Sequence, residues 1–560
     1  MQALYQLSYS PRSLVRRGFP STASPAYTGY TAFCQIASRD TGRWATPPCR
    51  APAPAVGTVG PVSISRRPAG STAPPALRAC HALRDRLLRR PTAPALTVSL
   101  LSFAAFWAAQ HATDPSMIDL MVYRAEGRAV LDGHDLYAMR ATYADLPATY
   151  PPFAALLFLP LTLPEVPVLR AAATVANLGL LVALAHLSLR LLNRPLHVPR
   201  PAAALGVAAV AVWCEPVWTT LRYGQINLLV ATLVLWDLTR RPGQRWAGVG
   251  IGVAAGIKLT PALFAVFLAL HGLALHGPAR RRLRPCHPDR RDGQGGPGRR
   301  AGPWNPRLRQ AAVAAATFLG TALLPALLLP HDSLRFWGGA VLRSDRVGRA
   351  ELTDNQSLNG VAARLLHTGD PGGLWLGLAL LAAALGLGAA VAAALARRCG
   401  LPHAAAWSAA ACAVTILLIS PISWSHHWVW CLPLTLLLAV EAQRRRSLRW
   451  AAGALPAALV FCSYVPWWVP RDPNAPRPPE LRQNGAEILL SACYPLAGVV
   501  FLAVTAAVAL RTLRGPGAQT PAGRRGRGGR DEREGRDRDR DRDRDSGIGA
   551  AAGAQAVAKE

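Results

Sequence analysis

The chain has 560 residues, of which 51% are hydrophobic and only 17% charged, and its mean hydropathy is positive. Soluble domains carry about 25% charged residues, so this composition excludes an ordinary soluble protein. The formal net charge of +31 would favour a nucleic-acid partner in a soluble chain, but here the arginines lie between apolar runs, and we expect no nucleic-acid binding.

The apolar runs approach or exceed the roughly 20 residues that a helix needs to cross a bilayer. Basic clusters separate these runs, and Lys and Arg concentrate in the cytoplasmic loops of membrane proteins. The sequence therefore predicts an all-α, polytopic protein of the cell membrane, with the lipid bilayer as a partner. The predicted cytoplasmic clusters are 83–90, 240–245, 280–309, 397–398, 444–449 and 511–544.

The two ends of the chain differ in composition from its middle. Residues 1–88 are rich in Ser, Pro, Ala and Arg and lack a signal-like apolar segment, which predicts a disordered basic extension or an overcalled start site. Residues 89–511 hold the apolar runs, with a basic cytoplasmic loop at 277–309. Residues 512–560 include "RDRDRDRDRD" and predict a disordered, low-complexity cytoplasmic tail.

The ten cysteines show no metal-ligand spacing. Most of them lie inside apolar runs or in segments predicted to be cytoplasmic, where disulfides are rare. We therefore expect no metal centre and no disulfide framework.

The first predicted helix, at about 92–110, leaves the cytoplasm and is followed by a long outer loop at 111–151. Residues 153–163 are too few to span alone and predict an interfacial or re-entrant piece. The next helix, at about 168–190, returns to the cytoplasm. The long outer loop is the first place where a site could form.

Two further helices, at about 202–221 and 226–239, go out and come back around a turn at "GQ". Both ends of 246–276 then lie inside, so this segment must contain two short crossings. Pro261 removes a helix hydrogen bond and predicts a break at "KLTP". Lys258 is thereby expected at an outer turn.

The second half predicts helices at about 310–330 and 374–397 around a second outer loop, 331–373. The remaining helices bring the total to about twelve crossings with both termini inside, and the first two meet at His426 and His427 on the outer side. They are predicted at about 402–421, 427–442, 449–467 and 488–510.

Polar residues that packing does not readily explain fall near the outer boundary in this topology. Ionisable groups at membrane depth are costly and usually face a cavity, so several at one level indicate a site. The alternative is chance, because loops must contain polar residues somewhere. The set comprises Asp114, Asp119, Tyr150, Gln225, Asn227, Lys258, Asn355, His426 and His427.

Each of these residues also has a purely structural interpretation. Asp119 is either a poorly solvated base or the N-cap of a helix. Lys258 binds a phosphate or snorkels to the head groups, and Gln225 fits a tight turn. Adjacent helical residues point about 100° apart, so we expect only one of His426 and His427 to face a given cavity. Protonatable rings at a helix end suit an anion such as a phosphate.

Six stretches in order give the chain, over about 95–510, a resemblance to glycosyltransferase family 87. That family contains membrane mannosyltransferases and related arabinosyltransferases of actinobacteria that use polyprenyl-phosphate sugars. The stretches are "IDLMVYRAEGRAVLDGHDLY", "ATYPPFAALLFLPL", "YGQINLLVATLVLWDL", "AGVGIGVAAGIKLTPALF", "DNQSLNGVAARLL" and "SPISWSHHWVW".

The resemblance implies a GT-C fold, a multi-helix bundle with its active site at the extracytoplasmic face and a catalytic carboxylate in the first outer loop. The matching residue is Asp119, and Asp114 is the alternative base. The resemblance also implies an inverting reaction that needs neither a nucleotide sugar nor a cofactor.

The chemistry of a polyprenyl-phosphate donor assigns roles to the other residues. Asp119 would deprotonate the acceptor hydroxyl, while Lys258 with His426 or His427 would hold the donor phosphate. A single displacement on a β-linked donor then gives an α-linked product. Expected sugar or acceptor contacts are Tyr150, Gln225, Asn227, Asn355 and Ser357.

The leading hypothesis is transfer of mannose from polyprenyl phosphate mannose to a glycolipid or lipoglycan outside the membrane. An arabinofuranosyltransferase that uses polyprenyl phosphate arabinose is the nearest rival. A flippase or transporter of lipid-linked sugars would instead place its polar residues near the midplane. A structural scaffold would make the outer polar residues dispensable.

Overall fold

In a computed structural model of the protein, the described secondary structure is helical. The structure describes residues 91–113, 115–241, 243–275, 305–472 and 474–515. Within these ranges it contains no β-strand, only the isolated bridges Ala141 to Leu146 and Asn355 to Trp424. The predicted all-α class is therefore confirmed for the described part of the chain. The predictions for 1–88, for 516–560, for most of 277–309 and for Asp114 concern residues outside it.

The first group of helices is built largely from Ala, Leu and Val. Alanine and leucine are strong helix formers, and proline at the first turn starts several of these helices. The helices are α1 Thr92–His111, α2 Ile118–Leu131, α3 Pro152–Phe158, α4 Val166–Leu192, α5 Arg200–Ala211, α6 Glu215–Tyr223, α7 Asn227–Leu238, α8 Val249–Ile257 and α9 Ala262–Ala274.

The second group begins after the gap at 276–304. Asn305, Ser357 and Asn484 cap the starts of α10, α12 and α17 with their side chains. The helices are α10 Pro306–Leu328, α11 Pro330–Trp337, α12 Leu358–Leu365, α13 Gly372–Ala396, α14 Ala404–Ile419, α15 Cys431–Arg445, α16 Leu448–Cys462, α17 Gly485–Ser491 and α18 Cys493–Arg514.

Five of the described helices are long and apolar enough to cross a membrane, namely α1, α4, α10, α13 with its following turn, and α18. Helices α5 and α6 make a sixth if they count as one span, bent by 83°. The other predicted crossings correspond to shorter apolar helices such as α7, α9, α14 and α16. The structure is that of a polytopic membrane protein, and the total of about twelve crossings stays a prediction.

Two predictions for this part of the chain have different outcomes. The break at "KLTP" is confirmed, because α8 ends at Ile257, Lys258 is extended and α9 begins after Pro261. The helix predicted at about 202–221 is divided into α5 and α6, which together are apolar enough for one span but are bent by 83°. Pro216 causes this bend, since proline in the first turn of α6 cannot continue the hydrogen bonds of α5.

Helix α8 is held tightly against its neighbours, and this fixes the position of Lys258 at its end. A Cβ atom added to Gly252 would lie 2.6 Å from the Ala314 carbonyl oxygen, so α8 and α10 approach at backbone distance. At the other end of α8, the buried Asp237 carboxylate accepts hydrogen bonds from the backbone N–H groups of Gly248 and Ile251, at 2.7 and 3.0 Å. These contacts cap the helix in place of a local side chain.

Candidate active site

Helix α2 carries Asp119 in its first turn. The N-cap position is occupied by Met117, whose φ of 43° is left-handed, so Asp119 is not the N-cap. Burial raises the pKa of the Asp119 carboxyl to about 6. The hydrogen bond from Gln225 and the positive charge of Lys258 lower this pKa, but by less than burial raises it. A carboxylate of this kind is ionised at neutral pH and is a better base than an exposed aspartate.

Two tyrosines orient the Gln225 amide toward Asp119. The Tyr123 hydroxyl donates to Gln225 Oε1 at 2.8 Å, and the Tyr150 hydroxyl donates to the same atom at 3.2 Å. With its oxygen occupied, Gln225 has its NH₂ group left to donate to the carboxylate. The turn that places Gln225 depends on Gly224, whose φ of +68° is left-handed and whose added Cβ would meet Leu120 at 2.7 Å.

Lys258, at the break after α8, lies next to two other predicted site residues. Its Nζ donates to Asn227 Oδ1 at 3.0 Å and lies 3.0 Å from His427 Nε2. It also lies 5.6 Å from the centre of the Tyr150 ring. Because lysine has only donors, His427 Nε2 is the acceptor and its proton is on Nδ1.

His426 and His427 belong to a short 3₁₀ helix, Ser425–Trp430, and face different surroundings. His427 lines a cavity together with Lys258. The His426 ring is buried edge-on against Tyr223, with the ring centres 5.3 Å apart. Its backbone carbonyl accepts hydrogen bonds from Thr220 Oγ1 and Asn227 Nδ2 at 2.9 and 3.0 Å. The structure therefore selects His427 as the histidine at the cavity.

The cavity beside Lys258 is polar at one end and apolar along its walls. Lys258, Asn227 and His427 form the polar end, and Phe264 and Trp430 lie among the apolar lining residues. These two rings stack with their centres 5.5 Å apart. A positive charge next to apolar walls is suited to an amphiphilic anion.

Asn355 and Ser357 hold the segment before the histidines and do not line the cavity. Asn355 is fully buried, its Nδ2 donates to the Pro421 carbonyl at 3.2 Å, and its Oδ1 accepts from the Ser423 N–H at 2.9 Å. The Ser357 side chain donates to the same Pro421 carbonyl and caps α12. The sequence expectation that these two residues contact sugar is therefore not supported by their surroundings.

Two buried carboxyl groups near the site were missed by the sequence reasoning. Glu215 accepts hydrogen bonds from Ser425 Oγ at 2.8 Å and from the Tyr494 hydroxyl at 2.7 Å, so it anchors the start of the histidine segment. Glu126 lies two turns after Asp119 on α2, and burial raises its pKa to about 8. For Glu215 the available signal was a lone acidic residue inside an apolar stretch, whereas Glu126 stands between Arg124 and Arg128 and no such signal marks it.

Among the described residues, one group of metal-binding residue types occurs outside this site. Asp135, His331 and Asp332 have ligand atoms within 4.8 Å of one another. However, Asp135 forms an ion pair with Arg335, and Asp332 accepts a hydrogen bond from the Leu136 N–H at 2.9 Å. These carboxylates thus already have partners in the protein, and the group carries no argument for a metal.

Comparison with known proteins gives consistent matches. The model of glycosyltransferase family 87 matches residues 148–421. A polyprenol-phosphate-mannose-dependent alpha-(1-2)-phosphatidylinositol mannoside mannosyltransferase of Mycobacterium tuberculosis is 34% identical over 63% of this chain and 77% of its own length. The protein with the same description from Mycolicibacterium smegmatis is 34% identical over 63% of this chain and 76% of its own length. No solved structure matches.

A third relative extends the comparison to a second acceptor. It is a polyprenol-phosphate-mannose-dependent alpha-(1-2)-phosphatidylinositol pentamannoside mannosyltransferase of Mycobacterium tuberculosis, 31% identical over 68% of this chain and 79% of its own length. The family match contains Gln225 and Lys258, whereas Asp119 and His427 lie outside it. The geometry of the site therefore adds two residues to what the family match covers.

Proposed function

The chain belongs to glycosyltransferase family 87, and on that basis we propose that it transfers mannose from polyprenyl phosphate mannose to a phosphatidylinositol mannoside or a related glycolipid or lipoglycan. It is a multi-pass membrane protein and a glycosyltransferase. The observation that carries the proposal is that Asp119 lies near the Lys258 ammonium, which itself contacts His427 at the end of an apolar cavity.

The donor phosphate is assigned to the polar end of this cavity. Lys258 supplies the positive charge, and His427 places an imidazole 3.0 Å from it. The apolar walls are assigned to contact the first isoprene units of the donor. As the bond from the sugar to the phosphate breaks, charge grows on the phosphate oxygens, and a fixed ammonium stabilises that charge. Asn227 keeps Lys258 in place through its 3.0 Å hydrogen bond.

Asp119 is assigned as the general base. The acceptor hydroxyl gives its proton to the carboxylate while its oxygen forms a bond to the anomeric carbon, and the electron pair of the breaking bond leaves with the polyprenyl phosphate. Attack from the side opposite the phosphate inverts the anomeric centre, so a β-linked donor gives an α-linked product. The hydrogen bond from Gln225 holds the carboxylate in position for this step.

The charges at the two ends of one helix support an extracytoplasmic position of the site. Helix α7 begins at Asn227, next to Lys258, and ends just before Arg240 and Arg241. Basic residues flank the cytoplasmic ends of membrane helices. The end that carries the site is then the outer one, where lipid-linked sugars rather than nucleotide sugars would be the donors.

The proposal is tested by a transfer assay with purified full-length protein. Radiolabelled polyprenyl phosphate mannose and phosphatidylinositol mannoside should give a product with one added α-linked mannose. Polyprenyl phosphate arabinose and a nucleotide-linked mannose, offered in parallel, should give little or none. Transfer of arabinose in preference to mannose would assign the rival donor, and no transfer from any polyprenyl-phosphate sugar would favour a transporter of lipid-linked sugars.

A further inference from the structure

A second groove lies near the start of α2, and it shares no lining residue with the cavity beside Lys258. It is enclosed by the end of α1, the start of α4 and the segment that leads into α2. Its volume is about 230 Å³, compared with about 40 Å³ for the cavity beside Lys258, so it has more room for a headgroup. Its apolar lining residues include Phe106, Trp107, Met117, Val166, Ala171 and Leu221.

The groove opens between two helices that present apolar surface to their surroundings. Only 11% of the most apolar stretch of α1 and 33% of that of α4 are buried inside the protein. Both helices are long enough to span a bilayer, so their exposed apolar faces contact lipid chains. A lipid can therefore enter the groove sideways from the membrane.

The polar side of the groove is positively charged. Arg170 donates from Nη2 to the Ser116 carbonyl at 3.1 Å, while its Nε is buried and has no hydrogen-bond partner among the described residues. His111 lies at the end of α1, and the lining residues that the structure describes include no carboxylate, while Asp114, next to the lining residue Pro115, lies outside the described residues. A buried donor without a partner costs free energy, so an anionic ligand that accepts from Arg170 would stabilise this arrangement.

A further positive charge lies behind the wall of the groove. Arg222 is 8% exposed, and its Nη2 donates to the Thr113 carbonyl at 3.0 Å. Its guanidinium also contacts Gln110, which lines the groove, at 3.5 Å. The electrostatic potential in the groove therefore favours an anion.

The groove reaches the start of α2, the helix that carries Asp119. Met117, which lines it, precedes Asp119 by two residues on the same turn of α2. The cavity beside Lys258 is lined instead by α9, α14 and the 3₁₀ helix at Ser425–Trp430. Two lipids can thus occupy the two cavities without competing for one entrance.

We propose that this groove binds the acceptor lipid, with Arg170 donating hydrogen bonds to its phosphodiester and the apolar walls holding the start of its chains. The inference rests on the proposed function, because the acceptors named for the relatives are phosphatidylinositol lipids. Arg170 is thereby assigned to acceptor recognition, while Lys258 serves the donor.

The test compares two acceptors in the same assay, one phosphatidylinositol mannoside and one alkyl α-mannoside with the same sugar but no phosphate. Arg170→Gln should lower kcat/KM for the phospholipid acceptor by about tenfold or more, the effect of one charge-assisted hydrogen bond, mainly through KM. It should leave kcat/KM for the alkyl mannoside and KM for the donor unchanged. The matched control is Arg190→Gln, at the exposed opposite end of α4.

An equal loss with both acceptors, no loss with the phospholipid, or a raised donor KM would overturn the assignment. A binding measurement separates this result from a failure of the proposed function, since it needs no turnover. Photoactivatable phosphatidylinositol should crosslink to peptides that contain Trp107 or Ala171 in the wild type and in Arg190→Gln, but not in Arg170→Gln. Equal crosslinking in all three proteins would contradict the groove as the acceptor site.

Discussion

At Asp119, the burial that strengthens the base also makes the folded state less stable once the carboxyl is ionised. Its pKa is raised from an ordinary 3.8 to about 6, so the folded state binds this proton more tightly than the unfolded state does. The stability that protonation provides is present at low pH and is lost as the pH rises through about 6. Function and stability therefore oppose each other at this residue.

Replacement of Asp119 by its neutral isostere should reveal this cost. Asp119→Asn should raise the melting temperature by a few degrees at neutral pH, because no charge is then buried, and should have little effect below the ordinary pKa of 3.8. The measurement is thermal unfolding in detergent across this pH range. A destabilised variant at neutral pH would contradict a desolvated carboxylate at this position.

The pH dependence of transfer should report the same group. Only the ionised carboxylate accepts a proton, so kcat/KM should fall about tenfold for each pH unit below about 6. The measurement is the initial rate at low acceptor concentration with donor in excess. A rate that stays level well below pH 6 would exclude Asp119 as the base.

Lys258 should act on the donor and not on the acceptor. Loss of its charge in Lys258→Gln should raise the donor KM by about tenfold to a hundredfold, because one charge-assisted contact to phosphate is removed. The matched control is Arg240→Gln, a cation after the opposite end of α7 that packs on Trp236. Steady-state kinetics with the donor varied measure the effect, and a rise in acceptor KM alone would contradict the assignment.

Among the elements, α8 matters because it places Lys258 against Asn227 and His427. Three features fix it: the cap that Asp237 provides, the close approach of its glycines to α10, and the break before Pro261. The break was predictable from the sequence, because its cause is local: Pro261 cannot continue the hydrogen bonds of the preceding helix. The cap and the helix contact join residues that are distant in sequence, so no local pattern could indicate them.

A single methyl group should disturb this element. Gly252→Ala would bring its Cβ to 2.6 Å from the Ala314 carbonyl, so α8 must shift, which should lower the melting temperature and raise the donor KM together. Gly206→Ala in α5 is the control, because nothing lies within 4 Å of an added Cβ there, and it should be neutral or stabilising by about 1 kcal/mol. Equal behaviour of the two variants would show that the contact does not position the site.

The histidine segment shows where sequence reasoning reached its limit. The expectation that one ring faces the cavity is consistent with the structure, but which ring does so depends on the 3₁₀ turn at Ser425–Trp430. That turn is held by Glu215 from α6, and the segment before it is held by Asn355; both lie far from it in the sequence. Asn355 was expected at the sugar because a buried structural amide and an exposed binding amide look alike in sequence.

For the whole molecule, the alternation of basic clusters and apolar runs was enough to predict an all-helical membrane protein. It was not enough to separate full crossings from short or bent helices, because length and hydropathy do not show the 83° bend between α5 and α6. The six stretches that carry the family resemblance identified the enzyme class. The acceptor groove could not be predicted, since it forms between α1 and α4 only after they pack.

The orientation in the membrane should be measurable with inserted protease sites. A site inserted at Gly133, in the exposed turn after α2, should be cut from outside in right-side-out vesicles. A site inserted at Gln244, among the basic residues after α7, should be cut only in inverted vesicles. The reverse pattern would place Asp119 on the cytoplasmic side and would contradict a donor carried on an outer-leaflet lipid.

The most direct test of the whole account is to measure turnover and donor binding together in Asp119→Asn. We expect kcat to fall by about 10²- to 10⁴-fold, the usual contribution of a general base, while the donor Kd stays unchanged. The control Asp132→Asn, at the exposed end of the same helix, should retain full turnover. Retained turnover in Asp119→Asn, or its loss in Glu126→Gln instead, would contradict the assignment of Asp119 as the base.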